Sequence, residues 1–227
     1  MREQGRPGWQ KVSRVFDERA QEYDSWFDDS LLFAIELAAL QDLVTPLAKP
    51  RLEVGVGPGR FAGELGVEVG IDPAREPLLL AAQRIAGVCQ GVGEELPLRP
   101  AGAGTIFIIF TLCFTREPAR VVAQAADALR PGGHLVLGVI PGSGPWGAAL
   151  LAKKKAGHPF YQYASFYEIK EVEAWLLAAG LQVVEERSTL YQSPAALVEF
   201  ESSRPGRQRD AGFVVLVARK GAVRADQ

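Results

Sequence analysis

The sequence predicts a three-layer α/β sandwich whose strands run parallel at first and finish in an antiparallel pair. Three observations carry that prediction. Short apolar runs alternate with stretches of helical periodicity through most of the chain, the pattern of strand-and-helix units. The runs "TIFIIF" and "LVLGVI" are apolar without interruption, as strands covered on both faces of a parallel sheet are. The rhythm then changes, and two strands, "LQVVEERSTLY" and "GFVVLVARK", follow each other across a long segment holding "SPAALVEF" and the polar "SSRPGRQRDAG". At 227 residues the chain suits one domain.

In order, Ser13 to Tyr23 and Leu31 to Val44 read as helices. The second carries Leu32, Ile35, Leu37, Leu40 and Leu43 before Pro46 and Pro50 stop it. "RLEVGV" is the first strand, and a glycine loop leads from it into a short helix from Arg60 to Leu65. "VEVGID" is the second strand, Pro77 to Ala86 a helix, "VCQGV" the third strand and "TIFIIFTL" the fourth. Glu117 to Leu129 reads as a helix and "GHLVLGVI" as the fifth strand. Gly142 to Gly157 is a helix after a turn, "FYQYASFY" an aromatic connection, and Tyr167 to Ala179 a helix closed by Gly180.

Composition excludes several classes. With 48% hydrophobic residues, 23% charged residues and a net charge of -2, the chain is neither disordered nor a general nucleic-acid binder. Lys153 to Lys155 and Arg204, Arg207 and Arg209 read as solvated faces. Cys89 and Cys113 lie in apolar runs as small hydrophobes, which points to a reduced, cytoplasmic setting. Their spacing fits neither a redox pair nor a zinc site, so no metal is expected. "MREQGRPGWQKVSRVF" has no apolar core of the signal-peptide kind, and "IFIIFTLCF" is far short of a membrane span.

The stretch "EVGVGPGRF", residues 53 to 61, follows the first strand, where a glycine-rich turn lets a ligand approach the main chain. The register Gly57, Gly59, Ala62 fits the dinucleotide fingerprint, which keeps an NAD(P)-binding oxidoreductase open; from Gly55 and Gly57, Arg60 breaks it. A P-loop is excluded, since Arg60 and Phe61 stand where Lys and Ser/Thr are required. Glu53, at the end of a buried strand, is either bonded to loop N–H groups or faces a bound cation. A pyrophosphate there would meet repulsion. Asp72, in "VGIDPA", suits the ribose hydroxyls of any nucleoside with a free 2′-OH, or simply begins a turn.

Taken in order and spacing, "EVGVGPGRF", "VGIDPA", "GVGEELPL", "IFIIFTLCF" and "LRPGGHLVLG" resemble the motifs of class I S-adenosylmethionine-dependent methyltransferases, and most closely the UbiE-like, type 11 group. The resemblance covers about residues 13 to 190. It implies a Rossmann-like, mostly parallel seven-stranded sheet ending in an antiparallel hairpin, with S-adenosylmethionine as cofactor and S-adenosylhomocysteine as product. It implies that Glu53, Gly55, Val56, Gly57 and Gly59 line the methionine end, that Asp72 with Pro73 holds the ribose, and that Val92, Gly93 and Glu94 edge the adenine. Phe110, Thr111 and Leu112 would offer main-chain carbonyls to the amino group. Two departures stand out: Val92 occupies a place where relatives commonly carry Asp or Asn, and Ala103-Gly104 replace a common Phe-Asp. On this plan residues 1–227 form one domain, divided into an N-terminal helical lid (1–46), a cofactor-binding core (47–141), a lid insertion (142–167) and a C-terminal helix and hairpin (168–220).

Methyl transfer from a sulfonium needs alignment first and a base only for an acceptor that must lose a proton. His158 is the best-placed candidate base, against a plain surface role; His134 reads as structural. Tyr23 is the leading lid contact with cofactor, and Trp26, Phe27, Phe160, Tyr161 and Tyr163 are lid residues toward the acceptor. So aromatic a lid suggests an apolar or aromatic acceptor shielded from water. The expected protein is a methyltransferase acting on a small molecule as a monomer or homodimer, without nucleic acid or membrane. A non-catalytic S-adenosylmethionine binder is the other alternative, and methylation of RNA or protein a further one.

Overall fold

A computed structural model of the chain describes residues 8–221. Residues 1–7 of the expected lid, which begin the stretch read for a signal peptide, and residues 222–227 of the expected domain lie outside the described residues. One sheet runs through the molecule in the order β3-β2-β1-β4-β5-β8-β6-β7. Its strands are β1 (Arg51–Val54), β2 (Val69–Asp72), β3 (Gly87–Gln90), β4 (Ala103–Ile109), β5 (Leu129–Val139), β6 (Leu181–Thr189), β7 (Arg204–Pro205) and β8 (Phe213–Lys220). Strands β1 to β5 pair in parallel, and β8 inserts antiparallel between β5 and β6. The fold is thus the Rossmann-like sandwich expected, with one correction. The sheet has eight strands instead of seven, because Arg204 and Pro205 pair with Ser188 and Arg187 at its edge.

Period-two alternation explains the layers. Along β4, Ile106 and Ile108 enter one hydrophobic core while Phe107 and Ile109 enter the other, and every residue of the strand is buried. The first core is closed by α6 (Pro118–Ala128) and α8 (Ile169–Ala178) through Val121, Val122, Ala125, Val172 and Leu176. The second is closed by α3 (Leu31–Gln41), α4 (Arg60–Glu64) and α5 (Arg75–Ala81) through Ile35, Leu40, Phe61, Ala62 and Leu78. Helix α7 (Pro145–Lys155) adds Trp146 to this side. Burying side chains of this size stabilises by about 1.5–3 kcal/mol each, so the central strands are the fixed frame of the molecule.

Several expected boundaries move for local reasons. The helix expected from Ser13 to Tyr23 is two helices, α1 (Trp9–Glu18) and α2 (Ala20–Ser25). Arg19 leaves the helical region at φ -130°, which redirects α2 toward the glycine loop. Helix α3 begins where Ser30 accepts the Phe33 N–H at 3.2 Å. Strand β5 starts earlier than expected, because Leu129 pairs with Ala103 ahead of the register irregularity at Pro131-Gly132-Gly133.

Candidate active-site cleft

The carboxyl ends of β1, β2 and β4 meet at an open cleft, lined among others by Gly55, Gly57, Asp72, Pro73, Val92, Gly93, Glu94, Phe110 and Thr111. This is where the ends of parallel strands leave room for a ligand. The glycines reach it for different reasons. Gly55, at φ +75°, has Thr111 packed so closely that a Cβ would stand 2.1 Å from its Oγ1. Gly57, at φ +51°, lines the cleft under the ring of Tyr23. Gly59 does not line it: a Cβ there would stand 2.9 Å from the Ala81 Cα, so this glycine lets α5 approach the loop. Val56 is likewise buried in the core and acts on the loop from beneath.

Asp72 and Glu53 divide the electrostatic work. Asp72 accepts the Gly57 N–H at 2.9 Å and the Ala74 N–H at 2.8 Å, one at each carboxylate oxygen, so the second strand holds the loop in shape. Each oxygen keeps acceptor capacity toward the cleft. Burial pushes the Asp72 carboxyl up to about 6, the two backbone bonds resisting the rise. Glu53 takes none of the loop N–H groups. It is buried, its Oε2 has no hydrogen-bond partner, and burial together with the neighbouring Asp72 holds its carboxyl well above the usual range. A buried carboxylate oxygen without a donor suits a cationic group and opposes an anionic one. The donor set therefore fits an ammonium near Glu53 and a hydroxylated sugar at Asp72.

At the end of β4, Phe110 adopts φ +56°, a left-handed conformation that a bulky residue holds only under strain. The turn Leu112–Phe114 follows. The three carbonyls expected to face an amino group each accept a bond inside this turn: Phe110 from the Cys113 thiol, Thr111 from the Phe114 N–H, and Leu112 from Thr115. Leu112 lines the neighbouring chamber instead of the cleft. Glu94 lines the cleft, but its Oε1 accepts the Arg116 N–H at 2.9 Å, so one oxygen anchors the approach to α6.

A second cavity adjoins the first, and Phe16, Tyr23, Phe110 and Phe114 line both. Tyr23 is the hub of this partition, its ring 5.2 Å from Phe16 and 5.6 Å from Phe27 and Phe160. Burial lifts its phenol far above the ordinary value, and Tyr161, Asp72, Cys113 and Glu53 add to the rise. Trp26, Phe27, Phe160 and Tyr161 line the second cavity, with Trp26 4.8 Å from Phe160. His158 and Tyr163 line neither cavity. His158 lies against Trp26, Phe160 and Tyr161 on the outer side of the cluster, and burial and Lys153 lower its pKa. Tyr163 lies under the Lys11 ammonium at 5.3 Å.

Arg60, the residue that spoils the dinucleotide fingerprint, has a clear task. Its Nε and Nη2 donate to Asp24 at 2.7 and 2.8 Å, and Arg84 donates to the same carboxylate at 3.0 Å. Arg84 also donates to the Pro58 carbonyl at 2.6 Å, so α2 is tied to the glycine loop. Burial alone would raise the Asp24 carboxyl, but the two guanidiniums outweigh it and hold it below its usual range.

Sequence reasoning missed Phe16, Phe33, Phe114, Trp146 and Glu36, all on the second cavity. Only Glu36 carried a signal, as the single charged residue of "LLFAIELAAL".

A family model described as a methyltransferase domain matches residues 52–137, from β1 to the middle of β5. An uncharacterized protein of Mycobacterium tuberculosis is 39% identical over 203 residues, spanning 88% of this chain and 71% of that one. An uncharacterized protein of Methanocaldococcus jannaschii is 30% identical over 208 residues, spanning 91% of this chain and 98% of its own. A solved Thermotoga maritima structure, described as an S-adenosylmethionine-dependent methyltransferase and possible histamine N-methyltransferase, superposes with TM-score 0.84 at 28% identity. That match covers 92% of this chain and 99% of the other. The chain belongs to the class I S-adenosylmethionine-dependent methyltransferases. Membership implies S-adenosylmethionine as the cofactor. Among the described residues, no helix is long and apolar enough to cross a membrane.

Proposed function

We infer that the protein transfers a methyl group from S-adenosylmethionine to a small, apolar or aromatic molecule, with the cofactor in the glycine-loop cleft and the acceptor in the adjoining chamber. One observation carries this reading: the two cavities share a wall of four aromatic side chains, so a donor in one and an acceptor in the other would meet there. When bound, S-adenosylmethionine supplies an activated methyl group that needs an aligned acceptor and no further activation.

The residues would act as follows. Glu53 faces the ammonium of the methionine end, and Gly55 and Gly57 give it main-chain room, with Val56 and Gly59 supporting the loop. Asp72 accepts the ribose hydroxyls beside Pro73, and Val92, Gly93 and Glu94 border the adenine. Phe110 and Thr111 close the floor, and Leu112 belongs to the acceptor side. Tyr23 from α2 with Trp26 and Phe27 from the turn after it, and Phe160 and Tyr161 from the insertion 142–167, exclude water from the transfer. Tyr163 braces the lid from outside, and His158 orients the ring cluster instead of removing a proton. The description of the Thermotoga relative favours a small molecule over a macromolecule as acceptor. The two free cysteines support a reducing, cytoplasmic setting.

A nucleotide panel tests the cofactor. S-adenosylhomocysteine should raise the melting temperature where NADH does not, and the opposite pattern would sink the reading. Turnover tests catalysis: cofactor affinity with no methyl transfer to any of a broad set of small acceptors would leave a non-catalytic binder.

A further inference from the structure

Helix α3 is apolar along its length except at Glu36 and at its last residue, Gln41; Glu36 stands between Ile35 and Leu37 and is only 6% exposed. Among the described residues nothing donates a hydrogen bond to its carboxylate and no cation pairs with it. Burial holds its carboxyl well above the usual range. A buried carboxylate without a partner is destabilising to the fold, and an apolar residue in its place would pack at no such cost.

Glu36 lines the second cavity, in company with the rings of Tyr23, Trp26, Phe27, Phe33, Phe160 and Tyr161. Its charge contributes to the raised pKa of Tyr161, so the two groups are neighbours. Lys153, the one cation on this wall among the described residues, lies 5.7 Å from the centre of the Tyr161 ring instead of pairing with Glu36. The chamber thus offers a carboxylate at its wall and aromatic faces around it, and none of the chamber's own donors is bonded to that carboxylate. That combination recognises an ammonium: the carboxylate accepts its N–H bonds and the ring faces attract its charge. A hydroxyl would donate a single bond and leave the charge uncompensated.

We propose that Glu36 holds the basic nitrogen of the methyl acceptor, which is a small amine with an apolar or aromatic body. The inference rests on the methyltransferase reading above and assigns Glu36 to binding. With S-adenosylhomocysteine present, calorimetry would compare 2-phenylethylamine with 2-phenylethanol, which match in shape and differ in charge. The amine should bind more tightly by about tenfold or more, the scale of a hydrogen bond to a charged group. In Glu36→Gln that preference should vanish while S-adenosylhomocysteine affinity stays the same. If Glu36→Gln does not fold, Glu36→Leu serves, and it should melt at a higher temperature than the parent because the unpaired carboxylate is gone. Equal affinity for amine and alcohol overturns the proposal. So does an undiminished preference in either variant, or failure of a panel of primary, secondary and aromatic amines to bind. Failure of S-adenosylhomocysteine itself to bind would overturn the underlying methyltransferase reading instead.

Discussion

The cleft at the glycine loop and the aromatic chamber beside it are built on opposite plans. The cleft takes its polar groups, main-chain atoms and Asp72, from consecutive strand ends, with Glu53 buried behind its lining and the N-terminal helices covering it through Trp9, Val12, Phe16 and Tyr23. The chamber gathers side chains from the N-terminal helices, the turn after β4, the end of β5 and the insertion, and its walls are mostly rings. A site that recognises one fixed cofactor can be written into the sheet, whose geometry changes little. On the proposed reading, the acceptor site stands on connecting segments, which can change without disturbing the sheet.

The strongest way to break this contrast is Gly57→Val. A branched side chain at φ +51° is strained and points at Tyr23, so S-adenosylhomocysteine should give no detectable heat by calorimetry in a protein that still folds. Retained affinity would mean that the cleft does not hold the cofactor.

Phe160→Ala should act on the other side. Phe160 is 1% exposed and contacts Phe16, Tyr23 and Trp26, so its removal should cost about 3 kcal/mol or more in a denaturant titration. A loss under about 1 kcal/mol would show that the ring cluster does not hold the lid to the domain.

Asp72→Ala should weaken S-adenosylhomocysteine binding by roughly 1.5–3 kcal/mol, the scale of bonds to a charged acceptor. If calorimetry gives less than about 0.5 kcal/mol, Asp72 only shapes the turn.

Asp24→Ala tests the tie between the regions. It leaves Arg60 and Arg84 without their shared carboxylate, and stability should fall by about 2 kcal/mol, read as a lower denaturation midpoint. An unchanged midpoint would reduce the cluster to a surface ion pair.

The mildest probe is pH. Asp72 sits at about 6 and Glu53 is also raised, and both must be ionised to receive hydroxyls and an ammonium. Affinity for S-adenosylhomocysteine should therefore rise as pH increases through about 6, by up to about tenfold per pH unit for one proton lost. Asp72→Asn should remove that step and leave any contribution from Glu53. Affinity that stays flat or falls from pH 5 to 8 in the parent would contradict the assignment of both carboxylates.

How much was legible differs between the regions for a physical reason. The central strands were readable because a strand covered on both faces must be apolar throughout, as "TIFIIF" is. The positions of Gly55, Gly57 and Asp72 followed from local chain order, since the loop directly joins a strand end to a helix. Gly59 was misassigned, because the atom that excludes its Cβ, in Ala81, comes from a helix further along the chain. His158 was placed over the pocket by its position after β5, yet the packing of Trp26, Phe160 and Tyr161 puts it outside. The second short edge pairing of β6 was invisible, since Arg204-Pro205 has no strand pattern of its own.

By itself, then, the sequence determined the order of the main strands and helices, the glycine loop and its two carboxylates, because periodicity and turn chemistry act between residues close in the chain. Tertiary structure alone decided which carboxylate takes the loop N–H groups, that Arg60 ties α2 to the loop through Asp24, and that Glu36 faces a chamber of rings without a partner. Those facts depend on groups brought together from distant segments, and packing and desolvation act on distance in space.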